Sequence, residues 1–350
     1  MTPKIIKYLN FSPYLDTGIV SPSSTIIIGN VFIGSNTKFQ ENVIVRGDGK
    51  EIYIGKNCLL RERTTIHVAG RIQGTKIGDN CVIDEYSIIH ACKLGDNVLV
   101  GSNCVIMDGS EIGDNVIVAN NSLIPPRKKF SSNTLIAGSP AKVIKKIDEK
   151  DFLTYKTQLI TKNPNSFFMN KFNYRDYLQK AATEKNNINI PNTCFIASDA
   201  FIGQSLIMNA RASIWYSVSI LSSKKNGQVI LGEGSNIQDN SIIDTLGNII
   251  KIGKRVTVGH NVIILGKTKI HDDAVIGMGS IIDQGCLIGI NSFVGANSYL
   301  PPNTSVPANT IFAGKPAKFF RKVKDQEKQY FYEGQKVYEK LVNEYNSLIV

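Results

Sequence analysis

Histidine is scarce in this 350-residue sequence, with four copies at positions 67, 90, 260 and 271. Any imidazole chemistry therefore rests on a handful of positions. No run of about 18 apolar residues occurs, which removes a membrane-spanning helix from the expectations. The six cysteines, at 58, 81, 92, 104, 194 and 286, form no Cys-x-x-Cys pair and lack the density of a disulfide scaffold. A reducing compartment is the simplest expectation. Aromatics are only 8% of a chain that is 42% hydrophobic. The heavy load of Ile, Val, Asn and Gly fits stacked short aliphatic strands rather than packed helices, and it excludes disorder. There is no Gly-rich strand-to-helix cradle for phosphate, no serine nucleophile elbow and no paired-carboxylate signature. The glycines belong to turns.

Acidic residues are outnumbered, 29 against 40 basic, giving a formal net charge of +11. The basic residues lie mostly as single lysines at turns, with short runs only at Arg127-Lys128-Lys129, Lys145-Lys146 and Arg321-Lys322. Aromatics do not alternate with them as on a base-stacking surface, so nucleic acid is not an expected partner. An acidic protein or lipid headgroups suit the charge better. The first fifteen residues hold no acid and carry Lys without Arg. They have neither a cleavable apolar core nor a clear transit-peptide composition.

What the sequence does have is a repeat of six. Ile252, Val258, Ile264, Ile270, Ile276, Ile282, Ile288, Val294 and Leu300 fall at successive steps of six. An earlier ladder runs through Ile54, Leu60 and Ile66, then Ile77, Ile83 and Ile89, then Leu94, Val100, Ile106, Ile112, Val118 and Ile124. Several of these aliphatics lead into Gly and a polar turn, as in Ile77-Gly78-Asp79-Asn80 and Ile112-Gly113-Asp114-Asn115. A hexad is too short for a helix crossover, but three hexads make an 18-residue triangular coil that stacks on the next by parallel ladder bonds, with the aliphatics inward. Cys58, Cys81, Cys104 and Cys286 each lie four residues after a ladder aliphatic, where a small side chain fills a coil corner.

Two such blocks, about 20–147 and 190–322, close alike: Ala137-Gly138-Ser139-Pro140-Ala141-Lys142 ends one and Ala313-Gly314-Lys315-Pro316-Ala317-Lys318 the other. The chain reads as an internal duplication. Between the blocks, Phe152, Tyr155 and Leu159 have helical spacing, Pro164 makes a break, and Tyr174, Tyr177 and Leu178 follow. Phe331, Tyr338, Leu341, Tyr345 and Leu348 mark a C-terminal helix. The expected organisation is β-helix over 1–147, helical linker over 148–188, a second β-helix over 189–322 and a terminal helix over 323–350. Each helical stripe is expected to pack on its own β-helix or a neighbour's.

Ile66 and Ile89 each precede a histidine. His67 and His90 are 23 residues apart, but the segment Val68 to Lys76 holds a loop about five residues longer than a hexad needs. Removing it leaves one coil. The two imidazoles should therefore stack on one face, with Cβ atoms ~5 Å apart, close enough to converge on one zinc ion.

The pattern resembles the hexapeptide-repeat, left-handed parallel β-helix. The second block has Ser213-Ile214-Trp215-Tyr216, Asn236-Ile237-Gln238-Asp239-Asn240, Val256-Thr257-Val258-Gly259-His260 and Ile276-Gly277-Met278-Gly279-Ser280. These resemble the γ-class carbonic anhydrases and their mitochondrial complex I relatives. The first block is more distant and, around Arg46-Gly47-Asp48, also resembles the pointed-end β-helical subunits of dynactin. The resemblance implies an all-β fold of two tandem left-handed parallel β-helices. It also implies a family site in which three histidines at a trimer interface hold zinc, two from one subunit and one from its neighbour.

Carried over residue by residue, neither block has the full set. The first has His67, then Glu85, then His90; the second has Asp244, His260 and Leu265. The losses are complementary. Arg46 and Asp48 match the family in the first block, where the second has Leu221-Ser222-Ser223. Gln238 and Asp239 match in the second, where the first has Arg61 and Glu62. The resemblance thus implies a composite zinc site of His67, His90 and His260 between the two domains. Gln238 would orient the attacking hydroxide, and Arg46, Asp48 and Asp239 would hold the interface. For the whole chain it implies a non-catalytic γ-carbonic-anhydrase-like subunit of a large complex, with the mitochondrial complex I membrane arm as first candidate. The expected location is the matrix side of the inner membrane, among other β-helical chains in a trimeric or pseudo-trimeric assembly. The alternatives are a zinc carbonic anhydrase, a cytoplasmic dynactin-type subunit and a hexapeptide acyltransferase. The last class uses a loop histidine, and the loop from Val68 to Lys76 contains none.

Overall fold

The computed structural model describes residues 2–161, 188–224 and 227–348. The chain divides into two compact units, residues 1–167 and 168–350. Each contains a left-handed parallel β-helix of short strands, two to four residues in most coils, so the fold is the tandem all-β architecture expected from the repeat.

In the first unit three inward columns run along the stack. Ile54, Ile77, Leu94, Ile112 and Phe130 are paired in register on one face, and Leu60, Ile83, Val100, Val118 and Ile136 on the next. Val45, Ile66, Ile89, Ile106 and Ile124 form the third. The second unit repeats this with Leu231, Ile252, Ile270, Ile288 and Val306; Ile237, Val258, Ile276 and Val294; and Ile243, Ile264, Ile282 and Leu300. Apart from Phe130, which is half-buried at the end of its column, these side chains are almost wholly buried and form one apolar cluster per unit. Because strand residues alternate faces, the neighbour of each inward aliphatic points outward.

The corners explain the polar half of the hexad. Asn80, Asn97, Asn115 and Asn133 adopt φ of 57°, 56°, 55° and 60°, the left-handed region that Asn tolerates better than other residues with a Cβ. Their amides also bond from coil to coil, Asn97 Nδ2 to Asn115 Oδ1 and Asn115 Nδ2 to Asn133 Oδ1, both at 3.1 Å. Gly78 follows its aliphatic because the next coil comes too close: a Cβ there would lie 2.5 Å from the Gly95 carbonyl oxygen. The corner cysteines are buried, and each Sγ lies against a carbonyl of the adjacent coil, from Cys58 to Gly78 at 3.2 Å and from Cys286 to Pro301 at 3.3 Å.

Insertions are accommodated outside this frame. Strand Ile44–Ile54 is eleven residues long and turns a corner, so that it pairs with both Thr65–His67 and Thr75–Ile77. The intervening loop is pinched by a bridge between Ala69 and Gln73, and His67 remains opposite His90. The second stack begins at strand Ile188–Asn189, which pairs with Leu206 and Ile207, slightly earlier than the repeat suggests. Each unit closes with an antiparallel hairpin, Thr134–Gly138 with Ala141–Lys146 and Thr310–Gly314 with Ala317–Lys322.

Each helix lies on its own stack. Asp148 caps the linker helix Glu149–Thr161 by accepting from the Asp151 amide at 2.8 Å. Phe152 packs on the outward residues Val82, Leu99 and Ile117. The linker positions Pro164, Tyr174, Tyr177 and Leu178 fall outside the described residues. In the C-terminal helix Asp325–Leu348, Tyr338 and Tyr345 meet Trp215 edge-on, at centroid distances of 5.3 and 5.1 Å. Gln335 Nε2 donates to the Gly234 carbonyl at 2.7 Å. The fork of Arg321 on Glu327, at 2.6 and 2.8 Å, holds that carboxyl down to about 2 and fixes the start of the helix. Among the described residues no helix is long and apolar enough to cross a membrane.

Ile276→Ala, in the middle of an inward column, should cost about 2–5 kcal/mol as a cavity between coils. Its outward neighbour Val275→Ala should change stability by less than about 1 kcal/mol. Urea midpoints of the two variants check the inward–outward assignment.

Candidate functional site

The outward neighbours of one column carry the polar chemistry. In the first unit Arg46, His67 and His90 are successive rungs of one ladder, and all three are buried. The stacking places the two imidazole centroids 5.3 Å apart with planes inclined at 60°. Arg46 Nη1 donates to Asp48 Oδ2 at 2.5 Å, and the other oxygen of Asp48 lies 3.1 Å from His67 Nε2. His90 Nδ1 is 2.6 Å from Asp108 Oδ1. Burial pushes the Asp108 carboxyl up, but the charge and hydrogen bond of His90, helped by His67, hold it below the ordinary carboxylate range. Glu85, at the remaining family position, is buried.

The same column in the second unit reads Leu221, Asp244 and Leu265. Asp244 is fully buried; its Oδ1 accepts from the Ser223 and Leu246 amides at 3.1 and 3.0 Å, while its Oδ2 is buried without a hydrogen-bond partner among the described residues. Desolvation raises its pKa above the usual carboxylate value. His260 lies in a different rung set. Its Nδ1 is 3.1 Å from Asp239 Oδ2, and Asp239 Oδ1 accepts from the Tyr216 amide at 3.0 Å. Gln238 Nε2 donates to Asn236 Oδ1 at 3.2 Å. His271 sits half-buried in a turn, away from either set.

The structure thus brings Arg46, Asp48, His67 and His90 together in the first unit, and Gln238, Asp239 and His260 together in the second. His67 and His90 each have a carboxylate hydrogen-bonded to one ring nitrogen, the arrangement that fixes the orientation of a metal-ligating histidine, and the Asp239 carboxylate lies beside one ring nitrogen of His260. A catalytic zinc site takes three protein ligands. The first unit offers two imidazoles and the second one, so the donor chemistry fits zinc as partial sets and neither unit alone completes the family's three. Asp108 went unnoticed in the sequence: the coil after His90 has 17 residues, Ile89 pairing with Ile106, so this carboxylate lies one place beyond the rung of His90, in the turn after Met107.

Comparison with known proteins follows the same lines. A family model for bacterial transferase hexapeptide (six repeats) matches residues 74–106 and 91–126, and one for the hexapeptide repeat of succinyl-transferase matches 51–84 and 249–284. The chain is similar to Gamma carbonic anhydrase 2, mitochondrial, of Arabidopsis thaliana, 33% identical over 151 residues, 41% of this chain and 53% of that protein. It is also similar to Gamma carbonic anhydrase 3, mitochondrial, of the same plant, 42% identical over 172 residues, 46% of this chain and 66% of that protein. It therefore spans between half and two thirds of the length of these relatives. A solved structure from Desulfovibrio desulfuricans, described as an acetyltransferase, shares the fold with TM-score 0.55 at 15% identity, covering 98% of this chain and 84% of that one.

Asp244→Asn should stabilise the protein at neutral pH. The folded carboxyl binds its proton more tightly than the unfolded one, so the native charged form carries a penalty above the folded pKa and none below the unfolded pKa near ~3.9. The advantage of the asparagine variant should be full at pH 7.5 and shrink as pH falls through the carboxylate range, read from urea unfolding at each pH.

Proposed function

We propose, from the premise that this chain is a γ-carbonic-anhydrase-like hexapeptide-repeat protein, that it works as an assembly subunit of a large complex rather than as an enzyme in either unit alone. The observation that carries this reading is the broken ligand column. Glu85 stands at the second family position in the first unit, and Asp244 and Leu265 stand at the first and third in the second. Asp244 is moreover bonded to its own backbone neighbours.

The host we favour is the membrane arm of mitochondrial respiratory complex I, with the chain peripheral to the matrix side of the inner membrane. The word mitochondrial in the names of both Arabidopsis relatives supports that compartment. Two unlike blocks cannot alternate around three positions, so a trimeric or pseudo-trimeric ring must contain at least one contact of a different kind or a different β-helical chain. Affinity purification of the tagged chain from its source cell should recover respiratory subunits. Cytoskeletal subunits would assign it instead to a dynactin-type complex, and a stable monomer in native mass spectrometry would count against assembly altogether.

A second reading is favoured by the three carboxylate–histidine pairs: Asp48 with His67, Asp108 with His90 and Asp239 with His260. In it, His67 and His90 of a first unit and His260 of a second unit hold one zinc. The metal would supply the Lewis acidity that activates water for carbon dioxide hydration. Arg46 and Asp48 would orient His67, Asp239 would orient His260, and Gln238 would orient the attacking hydroxide. Zinc should then co-purify at one per site and fall at least tenfold in both His67→Ala and His260→Ala, with carbon dioxide hydration in stopped flow lost in parallel. Metal content indifferent to His260→Ala would remove this reading and leave the assembly role standing.

A further inference from the structure

The basic charge that the site does not use is concentrated, with an apolar component, at one duplicated element. The outer strand of each closing hairpin is Ala141-Lys142-Val143-Ile144-Lys145-Lys146 in the first unit and Ala317-Lys318-Phe319-Phe320-Arg321-Lys322 in the second. Both read small, basic, apolar, apolar, basic, basic. Neither contains an acid.

The apolar pair is exposed in both strands. Val143 and Ile144 are 52% and 59% exposed, and Phe319 and Phe320 are 58% and 66% exposed. The cause is visible in the register. In the first hairpin Leu135 pairs with Lys145 and Ile136 with Val143, so Ile144 is an extra residue in the strand. In the second Ile311 pairs with Arg321 and Phe312 with Phe319, so Phe320 is the extra one. Both hairpins thus have a β-bulge at the same place, the device by which a strand re-aims a side chain. In both, the residue without a rung partner is the most exposed apolar residue of its strand. Charge and a β-bulge are both devices that blunt an exposed edge strand; here the charge flanks an apolar tip instead of replacing it.

We propose that these two bulged edge strands are interfacial anchors for a bilayer surface bearing anionic phospholipid. The occupant follows from chemistry and size. A two-residue apolar tip is far smaller than the ~1,200 Å² or more of a stable protein interface. It is the right size to enter the headgroup–acyl boundary, where aromatic and aliphatic side chains are favoured. The flanking bases complement the negative surface potential of anionic leaflets. Arg321 and Lys145 are braced by Glu327 and Asp151. Lys142, Lys146, Lys318 and Lys322 lie on the exposed strand around each tip. The second anchor is the stronger, because its tip is a pair of phenylalanines. This inference is independent of the broken ligand column and holds for either reading of the site.

The test is co-sedimentation of the full-length chain with vesicles of pure phosphatidylcholine and of equimolar phosphatidylcholine and phosphatidylserine. Binding is expected only to the anionic vesicles, with weakening at high salt as surface attraction is screened. The double variant Phe319→Ser, Phe320→Ser and the double variant Lys318→Glu, Lys322→Glu should each bind at least tenfold more weakly. Phe320→Leu should bind nearly as well as the parent. Circular dichroism and sedimentation velocity, unchanged across the set, exclude misfolding as the cause. Failure of the parent chain to bind anionic vesicles, equal binding to both vesicle types, or full binding by either double variant would overturn the proposal. So would a fall in sedimentation coefficient of the serine variant, which would assign the tip to contact between copies of the chain.

Discussion

Everything in this protein depends on the parallel register that sets each coil on the next. A parallel β-helix satisfies the backbone of each coil only through the coils above and below it, so a residue's chemistry is felt mainly at the same position one coil away. That rule stacks aliphatics into inward columns and lays Asn on Asn at the corners. It also forbids a Cβ where Gly78 meets the next coil. The paired histidines of the first unit have the same origin, since His67 and His90 are neighbours by register and by nothing else.

A stack governed in this way has two liabilities, its ends and its insertions. Each unit closes by folding its last strand back as an antiparallel hairpin, which covers the edge of one face, and then runs a helix along an outward face. The helices are held by different means. Phe152 joins an aliphatic patch, whereas Tyr338 and Tyr345 close an aromatic cluster around Trp215 and Phe195. Insertions leave at corners. The loop after Val68 is pinched off by its own bridge, and the ladder on either side continues in step.

The inward columns were legible in the sequence because their period is short and unbroken over much of both blocks, from Ile252 to Leu300 above all. The duplicated closures and the corner cysteines were legible for the same reason. Less visible were features that depend on what happens between repeats. The eleven-residue strand that carries Arg46 and Asp48 bends around a corner, which lets Asp48 reach both Arg46 and His67, and no hexad count reveals that. The β-bulges depend on how two antiparallel strands slip against each other by one residue. A pattern of Lys, two apolar residues and two bases is consistent with either a buried or an exposed pair until that slip is known. Asp108 lies one place past the register partner of His90, because that coil has 17 residues, so the period alone does not point to it.

The ligand column also explains how a duplicated chain can keep different parts of one site. Strand alternation means that an outward rung can change without disturbing the inward residue beside it: Ile66 beside His67 and Ile243 beside Asp244 are both fully buried in intact columns. The fold therefore places no stability constraint on which unit keeps its imidazoles. It does demand that whatever replaces them be satisfied in a buried position. Leu265 meets that demand by being apolar. Asp244 meets it only in part: one oxygen accepts two backbone amides from its own unit, the other is buried without a hydrogen-bond partner among the described residues, and burial makes the carboxyl ionise less readily than usual. His67 and His90 meet it differently, through carboxylates whose charge would equally steady a histidine against a metal. The second unit's column has lost its imidazoles, and the first unit's retains the chemistry of a ligand pair.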